Sequence, residues 1–407
     1  MSGGALSHIR VLDLSRVLAG PFAGQILGDL GAEVIKVERP GRGDDTRGWG
    51  PPWWTGGNAP DDGGPGEAAY YLSANRNKAS VTIDIATAEG QRLVRDLAAQ
   101  SDVVLENFKV GGLARYGLDY ESLRALNPGL VYVSITGFGQ DGPLAARPGY
   151  DFLIQAMGGL MSLTGEPDGP PEKAGVALAD VMTGLYAVIG VQAALAHRAR
   201  TGEGQHIDLA LLDVQAATLV NQAMNYLVAG QAPTRMGNAH PNIVPYQAFA
   251  ASDAYFILTV GNDEQFRRLC DAIGRPELGA DARYLRNADR VTNRDTLVPE
   301  LAAVFETRPA ADWLKRIDEA GVPCGPINTL DRVFQEPQLV HRGMSAQVPD
   351  PGGAPVPTVG SPLKMSATPA EPRRAPPRLG TDTDDVLQNV LGLDAASRER
   401  LRRSGVI

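Results

Sequence analysis

The stretch KAGVALADVMTGLYA, residues 173–187, is built from small and apolar residues around one carboxylate, Asp180. A carboxylate in such surroundings is costly unless something holds it. Asp180 stands just before a helical apolar pattern, DVMTGLYAVIGVQAALAHR (180–198), and Asp is a favoured N-cap. Plain capping and catalysis draw on the same physics. A helix start offers free N–H groups and the positive end of the dipole, which stabilise an ionised carboxylate. Such a group is expected to be deprotonated, fixed and without a salt-bridge partner, as a carboxylate nucleophile must be. Both readings stand at this point.

Other chemistries lack their parts. The five histidines, at 8, 197, 206, 240 and 341, show no H-E-x-x-H or similar spacing, so no metal site is expected. There is no G-x-S-x-G elbow. Cys270 and Cys324 have no near partner for a disulfide or zinc motif, which fits a reducing cytoplasm. With 38 Lys and Arg against 47 Asp and Glu, the net charge of −9 argues against a nucleic-acid partner. It leaves room for a local basic pocket. The N-terminus lacks the pattern of a signal peptide, and no run of about 20 apolar residues is expected to span a membrane.

The elements that must position Asp180 follow from periodicity. A chain of 407 residues predicts two domains. IRVLDLS (9–15), AEVIKVE (32–38), DVVLENF (102–108) and LVYVSITGFG (130–139) read as strands. Helices are predicted at 21–31, 86–100 and 119–126. Longer ones follow at 180–198 and 210–229. This alternation implies a parallel sheet covered by helices, a Rossmann-like layout without the G-x-G-x-x-G of a dinucleotide site. No nucleotide redox cofactor is therefore expected. Residues 40–67 form a long Gly/Pro/Asp-rich loop with three tryptophans, either a surface insertion or a lid. Beyond it, a strand at 254–260 and helices near 263–273, 289–307 and 310–320 predict a smaller α+β unit. A Pro-rich run from 345 to 380 leads to a final helix near 382–403. The expected division is a large Rossmann-like domain over 1–200 and 340–407, a linker and helix at 201–235, a small domain at 236–328 and a return linker at 329–339.

From end to end the chain resembles the class III CoA-transferases of the CaiB/BaiF type. The resemblance is carried by VLDLSRVLAGPFAGQILGDLGAEVIKVERPGRGDDTR (11–47), YYLSANRNKASVTIDI (70–85) and DVVLENFKVGGLARYGLDYE (102–121). It continues through SITGFGQDGPLAARPGYDFLIQAMGGLMSLTG (134–165), the segment around Asp180, and TGEGQHIDLALLD (201–213). It implies that Asp180 is the nucleophile, attacking the thioester of an acyl-CoA. CoA transfer to a carboxylic acid then runs through aspartyl anhydride and aspartyl-CoA thioester intermediates without ATP.

By the same resemblance the CoA pocket draws on Val17, Leu18, Ala19, Arg39, Leu72, Asn75, Arg76 and Lys78, and on Asn107, Phe108, Lys109, Arg115, Gly137 and Phe138. Gly261 is expected to sit in a glycine loop closing over the site. Racemases of the family pair the aspartate with a histidine in a Gly-His-Asp triplet. This chain has Gly149-Tyr150-Asp151, and Tyr150 is a poor base, so transfer is favoured over racemisation. A non-catalytic CoA-binding protein on the same fold is the other alternative. RMGNAHPNIVPYQAF (235–249) and GVPCGPIN (321–328) resemble the branch that handles succinate, glutarate and hydroxymethylglutarate, with succinyl-CoA as the expected donor. Arg47, Arg235 and His240 are the candidates to meet a second carboxylate. The family further implies an interlocked, ring-like homodimer.

Overall fold

The computed structural model describes residues 4–56, 66–350 and 353–407. The chain divides into two compact units, one made of Met1–Leu160, Ala174–Ala223 and Pro337–Ile407, the other of Met161–Lys173 and Met224–Glu336. Residues 161–173, expected in the large domain, cluster with the smaller unit.

The larger unit is built on six parallel strands: β1 (Arg10–Asp13), β2 (Glu33–Glu38), β3 (Lys78–Thr82), β4 (Val103–Glu106), β5 (Val131–Thr136) and β6 (His206–Ala210). Their order across the sheet is β3-β2-β1-β4-β5-β6, so the chain changes direction between β1 and β4. Alternate residues of each strand face opposite sides, and both sides are largely buried over β1 to β5, as a parallel sheet requires, while edge strand β6 is more open. Val11, Val34, Val103 and Val133 face helices α1 (Ala19–Asp29) and α4 (Leu178–Thr201). Leu12, Ile35, Val104 and Tyr132 face helix α2 (Ala88–Ala99) and the C-terminal helices. The C-terminal stretch returns to this unit, where the Ser80 N–H donates to Asp382 at 2.8 Å.

Helix α4 corrects one expectation. At 24 residues, with a mean hydropathy of 1.5 over an 18-residue stretch, it is long and apolar enough to cross a membrane by those two measures. One face of it serves the core, where Ala179, Ala187, Val191 and Ala194 are buried with residues of α1, while Ile189 on the helix is exposed. At Gly184 a Cβ would come within 2.8 Å of the Ala19 carbonyl oxygen, so only glycine lets α1 and α4 approach this closely.

Three predicted helices are each two. Residues 210–229 break into α5 (Leu211–Ala217) and α6 (Val220–Ala229), with Val220 at a φ of 43°. The helix near 289–307 is Asn287–Thr292 and Arg294–Phe305. The final one splits into Thr383–Asn389 and Ala395–Arg403, with Gly392 at φ +68° between them. Periodicity continues through such breaks, because the same apolar face is buried on either side.

Part of the tryptophan loop, 57–65, lies outside the described residues, and the lid reading with it. The smaller unit has a three-stranded antiparallel sheet, Tyr246–Ala250, Tyr255–Thr259 and Cys324–Pro326, over a core that includes Phe249, Phe256, Phe305 and Trp313.

Candidate active site

Ligands of open α/β sheets bind beyond the carboxyl ends of the strands, where the strand order reverses. In the larger unit those ends carry a cavity of about 190 Å³. The turn after β1 contributes Arg16, Val17, Leu18 and Ala19; the turn after β4 contributes Asn107, Phe108, Lys109 and Val110. Gly137 follows β5, and Arg147, Gly149, Tyr150 and Asp180 complete the wall. Nine residues expected in the site are thus brought together around one space. Arg39 and Phe108 line an adjoining cavity of about 480 Å³ with Arg16, Arg42 and Asp84.

Local chemistry explains this convergence. Asn107 ties the β1 and β4 turns together: its Nδ2 donates to the Arg16 carbonyl at 2.6 Å and its Oδ1 accepts the Arg16 N–H at 2.9 Å. A Cβ on Gly137 would lie 2.6 Å from the Gly149 Cα. The two glycines therefore let the backbone of 149–151 cross directly over the end of β5.

That crossing delivers Asp151 to the first turn of α4. Asp151 opens helix α3 (Asp151–Met157), and its Oδ1 accepts the N–H groups of Ala179 at 2.8 Å and Asp180 at 3.3 Å. Gln155, one turn on, donates to its Oδ2 at 2.6 Å. The N-cap position of α4 is Ala177, and Asp180 is the third residue of the helix. Two expectations are thereby corrected. Asp180 is not the cap, and the backbone donors at its own position are taken by a second carboxylate from another helix. Among the described residues, no hydrogen bond or ion pair reaches its side chain. Burial, and then the charge of Asp151, push the Asp180 carboxyl up to about 7, rather than leaving it ionised at any ordinary pH. A carboxyl poised in that range suits a nucleophile that must be released to act.

The other expected residues stand elsewhere. Lys78 is fully buried and pairs with Asp13 at 2.9 Å, with Asn75 as a further acceptor. Arg76 pairs with buried Asp29 at 2.6 Å and reaches the Val359 carbonyl. Leu72 packs with Val348, Val356 and Ala375. Arg115 stacks over Tyr116, and Phe138 packs at the edge of the core under Arg147. Arg47 spends its guanidinium on Glu38 at 2.8 Å, Glu67 at 3.0 Å and the face of Tyr71, so it is not open to a second carboxylate.

Arg235, His240 and Gly261 belong to the smaller unit. Arg235 donates to the carbonyls of Glu166 and Gly169. His240 Nδ1 accepts the Asn242 N–H. The Gly261 N–H is given to Gln265 at 2.7 Å, so it does not face an open space as an oxyanion donor would.

Sequence reasoning passed over Asp151, Arg16, Arg42, Arg147 and Tyr70. Asp151 was noticed only as part of a triplet lacking histidine, although its i,i+4 spacing to Gln155 is a usable signal. Half-buried Tyr70 is raised by burial and by the charges of Asp180 and Asp151, which places it within electrostatic reach of both. Its ring meets Trp49 edge-on at 5.0 Å.

A family model described as CoA-transferase family III matches residues 6–383 of the chain. The chain belongs to CoA-transferase family III. A succinate–glutarate CoA-transferase of Agrobacterium fabrum is 52% identical over 94% of this chain and 94% of its own length. The human succinyl-CoA:glutarate CoA-transferase is 43% identical over 99% of this chain and 90% of its own. A crystal structure of a CAIB/BAIF family protein from Brucella suis superposes with a TM-score of 0.83 at 51% identity, covering 96% of this chain and all of that one. This CoA-transferase is therefore an enzyme whose substrate is a CoA thioester.

Proposed function

We propose that the enzyme moves CoA from succinyl-CoA to glutarate or a closely related dicarboxylate, with Asp180 as the nucleophile. The names of its relatives support the substrate class. The observation that carries the chemistry is an unpaired carboxyl at the wall of a cavity beyond the strand ends. The larger unit is read as Rossmann-like, because its strand order reverses beside β1. CoA lies across both cavities, which share Arg16 and Phe108, with its phosphates toward Arg16, Arg39 and Arg42. Its thioester reaches Asp180.

An Asp180 oxygen attacks the thioester carbon, the C–S bond breaks, and CoA leaves as a thiolate from a succinyl–aspartyl anhydride. The thiolate attacks the Asp180 carbonyl and releases succinate, leaving an aspartyl-CoA thioester. The acceptor carboxylate attacks that carbonyl and expels the thiolate. The thiolate then takes the acceptor acyl group from the second anhydride, which frees Asp180. Every intermediate is an activated acyl group, so the energy of the thioester is kept and ATP is not needed.

The protonation state of Asp180 tests this reading directly. The nucleophile is the ionised form, and its carboxyl sits at about 7. In the succinyl-CoA:glutarate assay kcat/KM is therefore expected to rise with pH through a midpoint near 7 and to level off above it. Asp151→Asn removes the neighbouring charge and is expected to move that midpoint downward. A wild-type profile that is flat between about pH 5 and 9 would contradict the assignment.

The chain is further proposed to be a homodimer. Ile189 on α4 is 61% exposed, and on α6 Leu227 is 69% and Val228 80% exposed, apolar side chains that a second copy of the chain would cover. Light scattering on serial dilution is expected to return the dimer mass throughout. A folded monomer at low concentration would count against it.

A further inference from the structure

The turn after β1 is held from three sides. The Ser15 N–H donates to Asp13 at 3.0 Å, and the Ser15 carbonyl accepts from Lys36 Nζ at 2.8 Å. Both backbone groups of Arg16 are bound by Asn107. The Val17 N–H is shared by the two carboxylate oxygens of Asp44, at 3.2 and 3.3 Å.

Val17 is the unusual residue of the three. Its φ is +72°, the left-handed region that a β-branched side chain avoids. A conformation of that kind persists only where the surroundings over-determine it, and such residues gather at binding sites. Val17, Leu18 and Ala19 line the cavity that holds Asp180.

Asp44 is built to supply that constraint. Its side chain and that of Lys36 are both fully buried and pair at 2.9 Å. Asp44 Oδ1 also accepts from the Thr46 N–H at 3.0 Å and hydroxyl at 2.8 Å, and the Asp44 N–H donates to Glu38 at 2.9 Å. A carboxylate tied at so many points cannot follow Val17 if the turn relaxes. The turn must instead follow the carboxylate.

We propose that Asp44, locked by Lys36, is a positioning residue. It holds Val17 in the left-handed conformation and so preforms the wall against which the acyl-CoA binds. Asp44 touches no reacting atom in this account, which rests on the reading that the cavity takes the thioester. Its loss acts through the shape of the turn, and so on acyl-CoA binding rather than on the chemical step.

The test is the steady-state kinetics of succinyl-CoA with glutarate, read as KM against kcat. Asp44→Asn keeps the shape but puts an amide donor where Lys36 or the Val17 N–H needs an acceptor. It is expected to raise KM for succinyl-CoA about tenfold with kcat within about threefold. Glycine adopts positive φ without steric penalty, so adding Val17→Gly to Asp44→Asn is expected to return most of the lost KM. A role confined to stability would lower Tm without splitting KM from kcat, and Val17→Gly would not rescue it. Should Asp44→Asn alone not fold, Asp44→Glu keeps a carboxylate for Lys36 but moves it off the Val17 N–H, and is read in the same way. An unchanged KM in the Asn variant, or a raised KM that Val17→Gly leaves raised, overturns the positioning role. A wild-type enzyme that does not transfer CoA between these acids overturns the underlying reading instead.

Discussion

Asp180→Asn is expected to abolish CoA transfer, by at least about 10³-fold in kcat/KM, while the protein stays folded. The amide has nearly the volume of the carboxyl but no anionic oxygen to attack a thioester. Mass spectrometry of the wild type with succinyl-CoA should find an adduct on the peptide containing Asp180, cleaved by hydroxylamine and missing from the Asn variant. Stability should move the other way. Because the folded-state carboxyl is raised to about 7 from an ordinary value of 3.8, the folded protein holds a proton that the unfolded chain has released. Stability from this group therefore falls as pH rises across that window, and above about 7 the wild type carries an ionised carboxylate that the fold disfavours. At pH 8 the Asn variant is expected to unfold at the same or a higher temperature. Retention of transfer, or an adduct on a different peptide, would end the case for Asp180.

The second large effect is on stability, and it falls on a residue that motif resemblance assigned to CoA. Lys78→Met is expected to cost about 3–5 kcal/mol, the usual penalty for removing one partner of a buried ion pair. Lys78, at the start of edge strand β3, and Asp13, at the end of central β1, are both completely buried, with the ammonium also donating to the Pro21 carbonyl and Asn75. Burial alone would push the Asp13 carboxyl up, yet Lys78 and Lys36 hold it below its usual range. Losing Lys78 leaves that charge with Lys36 and Ser15 alone. The readout is a large drop in Tm or in the denaturant midpoint, with KM for succinyl-CoA little changed in the fraction that remains folded. A variant of normal stability with a strongly raised KM would restore Lys78 to the CoA pocket.

Arg47 and Arg76 teach the same lesson as Lys78. In a sequence, a cation near a strand end reads equally as a ligand for phosphate or as half of an internal pair. Which it becomes depends on whether an acid such as Asp13, Asp29 or Glu38 arrives from another strand or helix, 9 to 65 residues away. No local spacing carries that information. The glycines at 137 and 149 were visible, but their mutual contact was not, and that contact is what brings Asp151 to Asp180. The breaks at Val220 and Gly392 escaped for a different reason: burial demands the same apolar periodicity on both sides of a kink.

Apolar periodicity by itself determined four of the six strands of the parallel sheet and the helices that cover it, and the resemblance of short motifs pointed to the family and the aspartate worth examining. Those follow from apolar periodicity and from short contiguous motifs, both of which are local properties of the chain. Only the tertiary structure decided what surrounds that aspartate. Its place as third residue of the helix, the capping of its helix by Asp151 and the desolvation that lifts its carboxyl toward neutrality all arise between segments distant in sequence. Charge energetics depend on burial and on nearby charges, and both are set by packing.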